Sequence, residues 1–422
     1  MNASPASRLR VRHIRISSVC SVYSVGLSHL SGKNFKTPAV IDTFAARFDF
    51  TGDFDPRAKV GRMPPTPMNF SAIPGRGATV NPPNRFERLH VEPDSDAPVD
   101  FPEEERVAPR TEFYADASES LLNRNDSPDV GPAVGLNVYR GCEHGCAYCF
   151  ARPYHEYLGF SSGLEFETKI MVKQRAPELL RRELESRRWV PQTVMMSGAT
   201  DCYQPAERHF RLTRACLEVF AEFRNPVAII TKNFLVTRDL DLLAELARHH
   251  CVSVAVSVTS LDSALAGRLE PRAARPEHRL RAIRMLTDAG VPVTALLAPI
   301  IPGLNDHEVP AILDAVAAAG ATRAGHVLLR LPHAVKEIFL DWLDTHEPGK
   351  KARIVDRLQA LRGGKLYDSR WGSRMTGEGI FAEQINELFR VSARRAGLNQ
   401  EERHPLSTAH FRRPGGVQLE LL

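Results

Sequence analysis

The chain has 422 residues and a mass of 46.9 kDa, more than the roughly 100–200 residues of a typical single domain but within reach of one α/β barrel with tails. Hydrophobic residues make up 43% and charged residues 25%, which is typical of a globular protein. No apolar run approaches the roughly 18 residues of a membrane-spanning helix, so we predict no membrane partner. The net charge of +5 permits an anionic partner without requiring one.

The first third of the chain lacks the pattern of a packed domain. Residues 1–40 contain several arginines and no acidic residue, a composition typical of a targeting peptide or of translation from an upstream start codon. We predict that residues 1–60 are disordered. Residues 61–130 are rich in proline and glycine and predict an extended lead-in segment.

From residue 131 the sequence alternates between strand and helix patterns. Five helices are predicted at residues 177–187, 207–223, 239–248, 277–289 and 306–319. Six strands are predicted at residues 133–139, 193–197, 227–231, 252–258, 293–299 and 324–330. The alternation implies a parallel sheet with right-handed crossovers, either an open doubly wound sheet or a barrel. We place this core at residues 131–335.

Residues 336–422 predict a basic, helical C-terminal extension. Between Gly349 and Arg374 lie eight lysines and arginines against two aspartates, followed by an amphipathic helix near residues 381–396. The basic residues and Trp371 would suit phosphates and a stacked base, so nucleic acid is one candidate partner. A solvated helix face would show the same charge pattern.

The sharpest chemical signal is a C-x3-C-x2-C motif formed by Cys142, Cys146 and Cys149. Seven cysteines, three of them within eight residues, do not suit a disulfide framework and favour a metal site in a reducing cytoplasm. Thiolates hold iron-sulfur clusters, and three ligands would leave one iron of a four-iron cluster open. The alternative is a zinc site in which His144 or a distant residue is the fourth ligand.

Polar residues follow the predicted strands at their carboxyl ends, where parallel α/β folds bind ligands. These segments are Ser197–Gln204, Thr231–Asn233, Ser257–Ser260 and Pro299–Asn305. We expect them to converge with the cysteine loop on one face.

The motif with Tyr148 before its third cysteine, placed after a first strand and before repeated β/α units, resembles the radical S-adenosylmethionine (SAM) superfamily. The resemblance implies an α/β fold of partial (β/α)6 TIM-like barrel type and a [4Fe-4S] cluster on Cys142, Cys146 and Cys149. It also implies SAM on the open iron and a reductase or flavodoxin-type electron donor. Such an enzyme cleaves SAM to a 5'-deoxyadenosyl radical that removes hydrogen from a substrate, here unknown.

Within the superfamily, residues 135–302 are similar to the spore photoproduct lyase-like, or DNA repair photolyase-like, group, in a subgroup without an assigned substrate. The similar motifs are Thr200-Asp201, Thr231-Lys232, Ser257–Ser260, Glu270-Pro271 and Ala298–Ile300. The resemblance implies cofactor contacts from Tyr148, Thr200, Asp201, Lys232, Ser257 and Glu270. Lys232 and Ser257 would meet the carboxylate of SAM, Tyr148 the adenine, and Glu270 the sugar or sulfonium.

The sequence departs from that group at the hydrogen-return pathway. Gly198 and Ala199 stand where the group carries a hydrogen-donor cysteine, and Phe150 stands in place of a tyrosine. Cys202 is then the candidate donor, with a buried core cysteine as the simpler interpretation. A different class of function is a non-catalytic iron-sulfur or zinc protein that senses redox state or binds nucleic acid.

Overall fold

The computed structural model describes residues 73–86, 109–131, 134–402 and 404–414. The segment predicted to be disordered, residues 1–60, lies outside the described residues. Among the described residues, no helix is both long and apolar enough to span a membrane.

Seven strands form the main sheet, and six of them run parallel. Their order in the sheet is β10-β9-β8-β7-β6-β3-β2, with only β2 antiparallel to its neighbour. Each parallel strand pairs with the next one along the chain, so the order never reverses and the sheet curves as a partial barrel rather than a doubly wound sheet. The six parallel strands correspond to the six predicted ones, which confirms the predicted fold class. Their bounds are β2 Leu122–Arg124, β3 Val134–Leu136, β6 Val194–Met196, β7 Val227–Thr231, β8 Val252–Ser257, β9 Val293–Ile300 and β10 Arg323–Leu328.

The first predicted strand, residues 133–139, is wrong as a single element. Strand β3 ends at Leu136, and the chain then crosses to a small second sheet, made of β1 (Glu112–Ala115), β5 (Lys169–Val172) and β4 (Tyr139–Arg140). Asn137 causes the break because its side-chain oxygen accepts hydrogen bonds from the amides of Ala199 and Thr200, at 3.0 and 3.2 Å. Tertiary contacts therefore override a local strand pattern.

Helices cover the outside of the main sheet. Their bounds are α1 Leu164–Thr168, α2 Ala176–Glu185, α3 Glu207–Phe210, α4 Leu212–Phe223, α5 Leu240–Arg248, α6 Ser263–Leu269, α7 Pro276–Asp288 and α8 Val309–Ala318. The apolar sides of α2, α4, α5, α7 and α8 pack on the alternate strand residues that face them, and together they form the main core. Leu265 and Leu269 of α6 lie in a separate apolar cluster with Cys146, and Phe166 of α1 packs with Cys142. The predicted helix at residues 207–223 is in fact two helices, because Arg211 adopts a left-handed backbone with φ of 53°.

The described part of the C-terminal extension contains four helices. These are α9 (Val335–His346), α10 (Pro348–Ala360), α11 (Ser373–Thr376) and α12 (Ile380–Arg395). Helix α12 packs on α8 and on the last strand, where Phe389 stacks against His326 with ring centres 4.3 Å apart. The extension thus covers the free edge of the partial barrel.

The lead-in segment packs directly on the cysteine loop. Ala78 is fully buried, and the amides of Gly77 and Ala78 donate to the Glu167 carboxylate at 3.1 and 2.9 Å. A methyl group on Gly77 would lie 1.6 Å from the carbonyl oxygen of Gly145, so only glycine fits there. This part of the lead-in is therefore extended but closely packed.

Replacing Gly77 with alanine should force the lead-in off the cysteine loop. We expect the free energy of unfolding to fall by about 1–3 kcal/mol, the usual cost of overpacking, as measured by urea denaturation. Gly349→Ala is the matched control, since Gly349 lies in the first turn of α10 with nothing within 4 Å of an added methyl group. Equal stability of the two variants would contradict the close approach described here.

Candidate functional site

The cysteine loop follows β4 and is shaped by two glycines. Gly141 and Gly145 have φ of 79° and 67°, a left-handed backbone that glycine adopts readily. An added methyl group would lie 2.9 Å from the carbonyl oxygen of Phe166 at the first position, and 2.7 Å from the carboxylate of Glu167 at the second. The glycines around the cysteines are therefore required by the turn itself.

A buried arginine binds the backbone of the cysteine loop. The Arg152 guanidinium is fully buried and donates to the carbonyl oxygen of Cys146 through Nε and a terminal nitrogen, at 3.0 and 2.9 Å. It also pairs with the Glu167 carboxylate, which accepts from the lead-in amides. One ion pair thus joins the loop, α1 and the lead-in segment.

The three thiols fit an iron-sulfur cluster by their chemistry. All three are free, Cys142 and Cys146 are buried, and Cys149 is partly buried. Burial raises the pKa of each thiol, so bound iron would be needed to hold them as thiolates. Among the described residues, no three side chains of the ligand-forming types converge on one metal ion. A cluster accommodates this spacing because each thiolate binds a different iron.

His144 is engaged by protein groups and does not suit the alternative zinc site. Its Nδ1 lies 3.4 Å from the Asp201 carboxylate, and its Nε2 lies 3.0 Å from the side-chain nitrogen of Asn233. The pattern fits a ring that donates from Nδ1 and accepts at Nε2, leaving neither nitrogen for a metal.

Asp201 joins the ends of three strands. Its carboxylate accepts from the Thr231 hydroxyl and the Lys232 amide, both at 2.8 Å, and from the Tyr203 amide at 2.9 Å. Burial opposes ionisation, but the neighbouring His144 and these amides hold the pKa of Asp201 below its usual value. The Thr200 hydroxyl donates to the carbonyl oxygen of Tyr139, which comes just before the cysteine loop, at 2.9 Å. Thr200 and Asp201 therefore stabilise the loop's surroundings.

Four predicted or neighbouring residues meet at a buried carboxylate. Glu270 accepts from the Tyr148 hydroxyl, from Thr259 at 2.6 Å and from Arg279, and it lies 3.5 Å from the ammonium of Lys232. Burial alone would raise the pKa of Glu270, but Arg279 and then Lys232 outweigh it and lower the pKa to about 2. The carboxylate is therefore ionised and fully engaged.

Lys232 reaches from the end of β7 towards the cysteine loop. Its ammonium donates to the carbonyl oxygen of Ala298 at 3.0 Å and lies 5.8 Å from the ring centre of Tyr148. With 16% of its side chain exposed, it remains reachable from the carboxyl edge of the sheet. Ser257 is buried at the end of β8, one strand along in the same sheet.

Cys202, the candidate hydrogen donor, lies in the core, whereas Phe150 is exposed. Cys202 is 1% exposed and packs in the main core, and the carbonyl oxygen of Cys202 accepts from the Thr213 hydroxyl. Burial raises the pKa of the Cys202 thiol. Phe150 is 40% exposed at the carboxyl edge. The core position favours a structural role for Cys202 over hydrogen donation.

Sequence reasoning missed the residues that support the site from a distance. Arg279 is a helix residue with no motif signal, yet it neutralises Glu270 and donates to the carbonyl oxygen of Ser257 at 3.0 Å. Gln204 bridges the loop, accepting from the Glu143 amide and donating to the Gly141 carbonyl oxygen. Gln204 lies in the predicted segment Ser197–Gln204, but the sequence did not indicate that its side chain bridges the cysteine loop.

Most of the basic side chains in the C-terminal extension already bond to groups of the chain itself. Trp371 remains 53% exposed, with the guanidinium of Arg374 stacked 3.9 Å from its ring centre. Seven of the eight lysines and arginines bond to carboxylates or carbonyl oxygens of the protein, namely Lys350, Lys351, Arg353, Arg357, Arg362, Arg370 and Arg374. The stretch is therefore a weaker candidate for binding phosphates than its sequence indicates.

Comparisons with known proteins identify the family of this chain. The family model of the radical SAM superfamily matches residues 136–316, which include the cysteine loop and β3 to α8. The uncharacterized protein Rv2578c of Mycobacterium tuberculosis is 39% identical over 252 residues, covering 59% of this chain and 73% of its own. The uncharacterized protein MJ0683 of Methanocaldococcus jannaschii is 30% identical over 184 residues, 44% of this chain and 66% of its own.

The chain belongs to the radical SAM superfamily and is an enzyme of that class. The family implies SAM and a [4Fe-4S] cluster as cofactors. Among solved structures, the chain is similar to spore photoproduct lyase complexed with dinucleoside spore photoproduct. That match has a TM-score of 0.48 and 15% identity, covering 68% of this chain and 80% of the other.

Removing the guanidinium of Arg279 should leave a buried carboxylate without its main counter-charge. For Arg279→Met we expect a loss of about 3–5 kcal/mol in the free energy of unfolding, measured by chemical denaturation. Arg281→Met is the control, because Arg281 is exposed on the same helix and stacks on Phe234, at 4.2 Å from the ring centre. The control should lose no more than about 1 kcal/mol. Comparable losses in the two variants would contradict the prediction that the ion pair between Arg279 and Glu270 stabilises the fold.

Proposed function

We propose that Cys142, Cys146 and Cys149 hold a [4Fe-4S] cluster that binds SAM, and that the enzyme acts by hydrogen abstraction from its substrate. When bound, the cluster would supply one electron that splits SAM into methionine and a 5'-deoxyadenosyl radical. The observation that carries this proposal is the set of three free thiols, two of them buried and one partly buried, in one loop bent by glycines at the carboxyl edge of a parallel sheet.

The protein's own part is to orient SAM and to keep water away. Lys232 is the residue best placed to meet the SAM carboxylate, because its ammonium is partly exposed beside Tyr148 at the strand ends. Ser257 would assist from the next strand and Tyr148 would pack near the adenine. Apolar side chains around Cys146, including Leu265 and Leu269, would keep the site dry.

Glu270, Thr200 and Asp201 act best as positioning residues. The Glu270 side chain is fully buried, and its oxygens are engaged by Arg279, Thr259 and Tyr148. We propose that Glu270 fixes the directions of Tyr148 and Lys232 near the SAM sugar and sulfonium. Thr200 and Asp201 fix the loop and the Lys232 backbone, so they would shape the SAM site from behind.

The reaction needs an electron from outside the chain, which we assign to a reductase or flavodoxin-type donor. The substrate would enter at the carboxyl edge, where the parallel strands end. A nucleic acid remains one candidate, supported by the exposed Trp371 with its stacked Arg374.

Cluster assembly and SAM cleavage test the proposal directly. After anaerobic reconstitution with iron and sulfide, the reduced protein should convert SAM to 5'-deoxyadenosine, measured by chromatography. Cys146→Ala should lose this activity by at least about 100-fold, because the loop then lacks a ligand. Cys216→Ala, which removes a core thiol in α4, should retain it. Undiminished cleavage by Cys146→Ala would refute the assignment.

Lys232 allows a separate test of SAM binding. Lys232→Met keeps the length of the side chain but removes its charge, so we expect SAM affinity to fall by about 10- to 100-fold, the worth of a charge-assisted hydrogen bond. Calorimetry on the reconstituted protein measures this. Lys336→Met, at an exposed position of α9, should bind SAM normally. If both variants bind SAM alike, Lys232 has another role.

A further inference from the structure

Two arginines, one partly buried and one buried, follow the last barrel strand and α10. Arg330 comes two residues after β10, and Arg362 comes two residues after α10. The Nε atom of each is buried, and neither has a hydrogen-bond partner among the described residues. Buried donors of this kind are costly unless something accepts from them.

Arg362 is fixed in place by the surrounding backbone. It is 3% exposed and donates to the carbonyl oxygens of Leu329 and Ser373, at 2.9 and 3.2 Å. Burial, and after it the positive charge of Arg330, lower the pKa of Arg362. Because Leu329 directly precedes Arg330, the hydrogen bond from Arg362 to the Leu329 carbonyl oxygen places the two arginines beside each other, where like charges repel.

Arg330 is surrounded mainly by uncharged groups. A terminal nitrogen contacts the Met375 sulfur at 3.3 Å, and the guanidinium lies 5.1 Å from the ring centre of Phe150. Among the described residues, no carboxylate forms an ion pair with Arg330. The carboxylate of Asp129 interacts electrostatically with Arg330, but it is already bound by the Arg374 guanidinium and by the Gly372 amide. A thioether and a ring face stabilise a cation far less than a carboxylate does.

The position of Arg330 connects this cation to the active-site edge. Phe150 directly follows Cys149, the third cysteine of the loop. Arg330 lies at the carboxyl end of β10, so the contact between the two bridges the last strand of the partial barrel and the cysteine loop. Lys232 approaches the same edge from β7. A group bound at Arg330 would therefore lie beside the entrance used by the substrate.

We propose that Arg330, supported by Arg362, binds an anionic group of the substrate, a carboxylate or a phosphate. This inference rests on the proposed function, because it assigns a substrate contact to the same site. A guanidinium presents a planar fork of donors that matches the paired oxygens of either anion. The anion would satisfy the buried donors and offset the repulsion between the two cations. Phe150 would pack against the stem of the bound group.

The test uses two small anions as probes for the two chemistries. Pyrophosphate represents phosphate groups and succinate represents carboxylates, each titrated by calorimetry at constant ionic strength into the reconstituted full-length protein with SAM present. We expect at least one of them to bind. Arg330→Gln should weaken that binding by about tenfold or more. The probe that responds identifies the kind of anion.

Two further variants make the result decisive. Arg330→Lys keeps the charge but not the fork, so it should weaken binding less than Arg330→Gln, and it replaces the Gln variant if that one fails to fold. Arg390→Gln, which removes an exposed arginine of α12, should bind as the unaltered protein does. The inference is overturned if neither probe binds. It is also overturned if the Arg330 variants bind as tightly as Arg390→Gln.

SAM cleavage by the unaltered protein separates this inference from the proposed function. Formation of 5'-deoxyadenosine without Arg330-dependent anion binding would overturn the anion site alone. Arg330-dependent binding in a protein that never cleaves SAM would leave the anion site standing and refute the proposed function.

Discussion

The site depends on the buried ion pair between Arg152 and Glu167. This arginine binds the carbonyl oxygen of Cys146, and this glutamate binds the lead-in amides, so one pair of charges fixes the cysteine loop against two other segments. Neither charge is exposed to water, so loss of one partner would leave the other uncompensated. Close packing of Gly77 on Gly145 also restricts the position of the loop backbone sterically.

A second buried carboxylate, Glu270, lies beside the cysteine loop, where it accepts from the Tyr148 hydroxyl. It gathers groups from the loop, from β7, from the segment after β8 and from α7, and all of them donate to it or face it with positive charge. The surplus of cations around this carboxylate leaves Lys232 able to meet another anion. Seen together, Glu167 and Glu270 hold a rigid frame around the three thiols, as preorganised catalysis requires.

The pairing of charges also distinguishes Arg330 from most of the basic residues between Gly349 and Arg374. In the stretch from Gly349 to Arg374 most cations are matched by the protein's own acceptors, so sequence counting overstates their availability. Arg330 lies outside that stretch and belongs to no motif, yet within the described part of the chain its guanidinium contacts the Met375 sulfur and the Phe150 ring and pairs with no carboxylate. Availability of a cation is decided by its neighbours and not by local charge density.

The sequence by itself determined the six β/α units and the three cysteines, because hydrophobic periodicity and a short ligand motif are local properties. It also indicated that Lys232 and Tyr148 belong to one face, since strand ends meet at one edge of a parallel sheet. Only the tertiary structure decided that Asn137 splits the first strand, that Arg279 neutralises Glu270, and that the lead-in packs on the loop. These features depend on contacts between residues far apart in the chain, which no local pattern encodes.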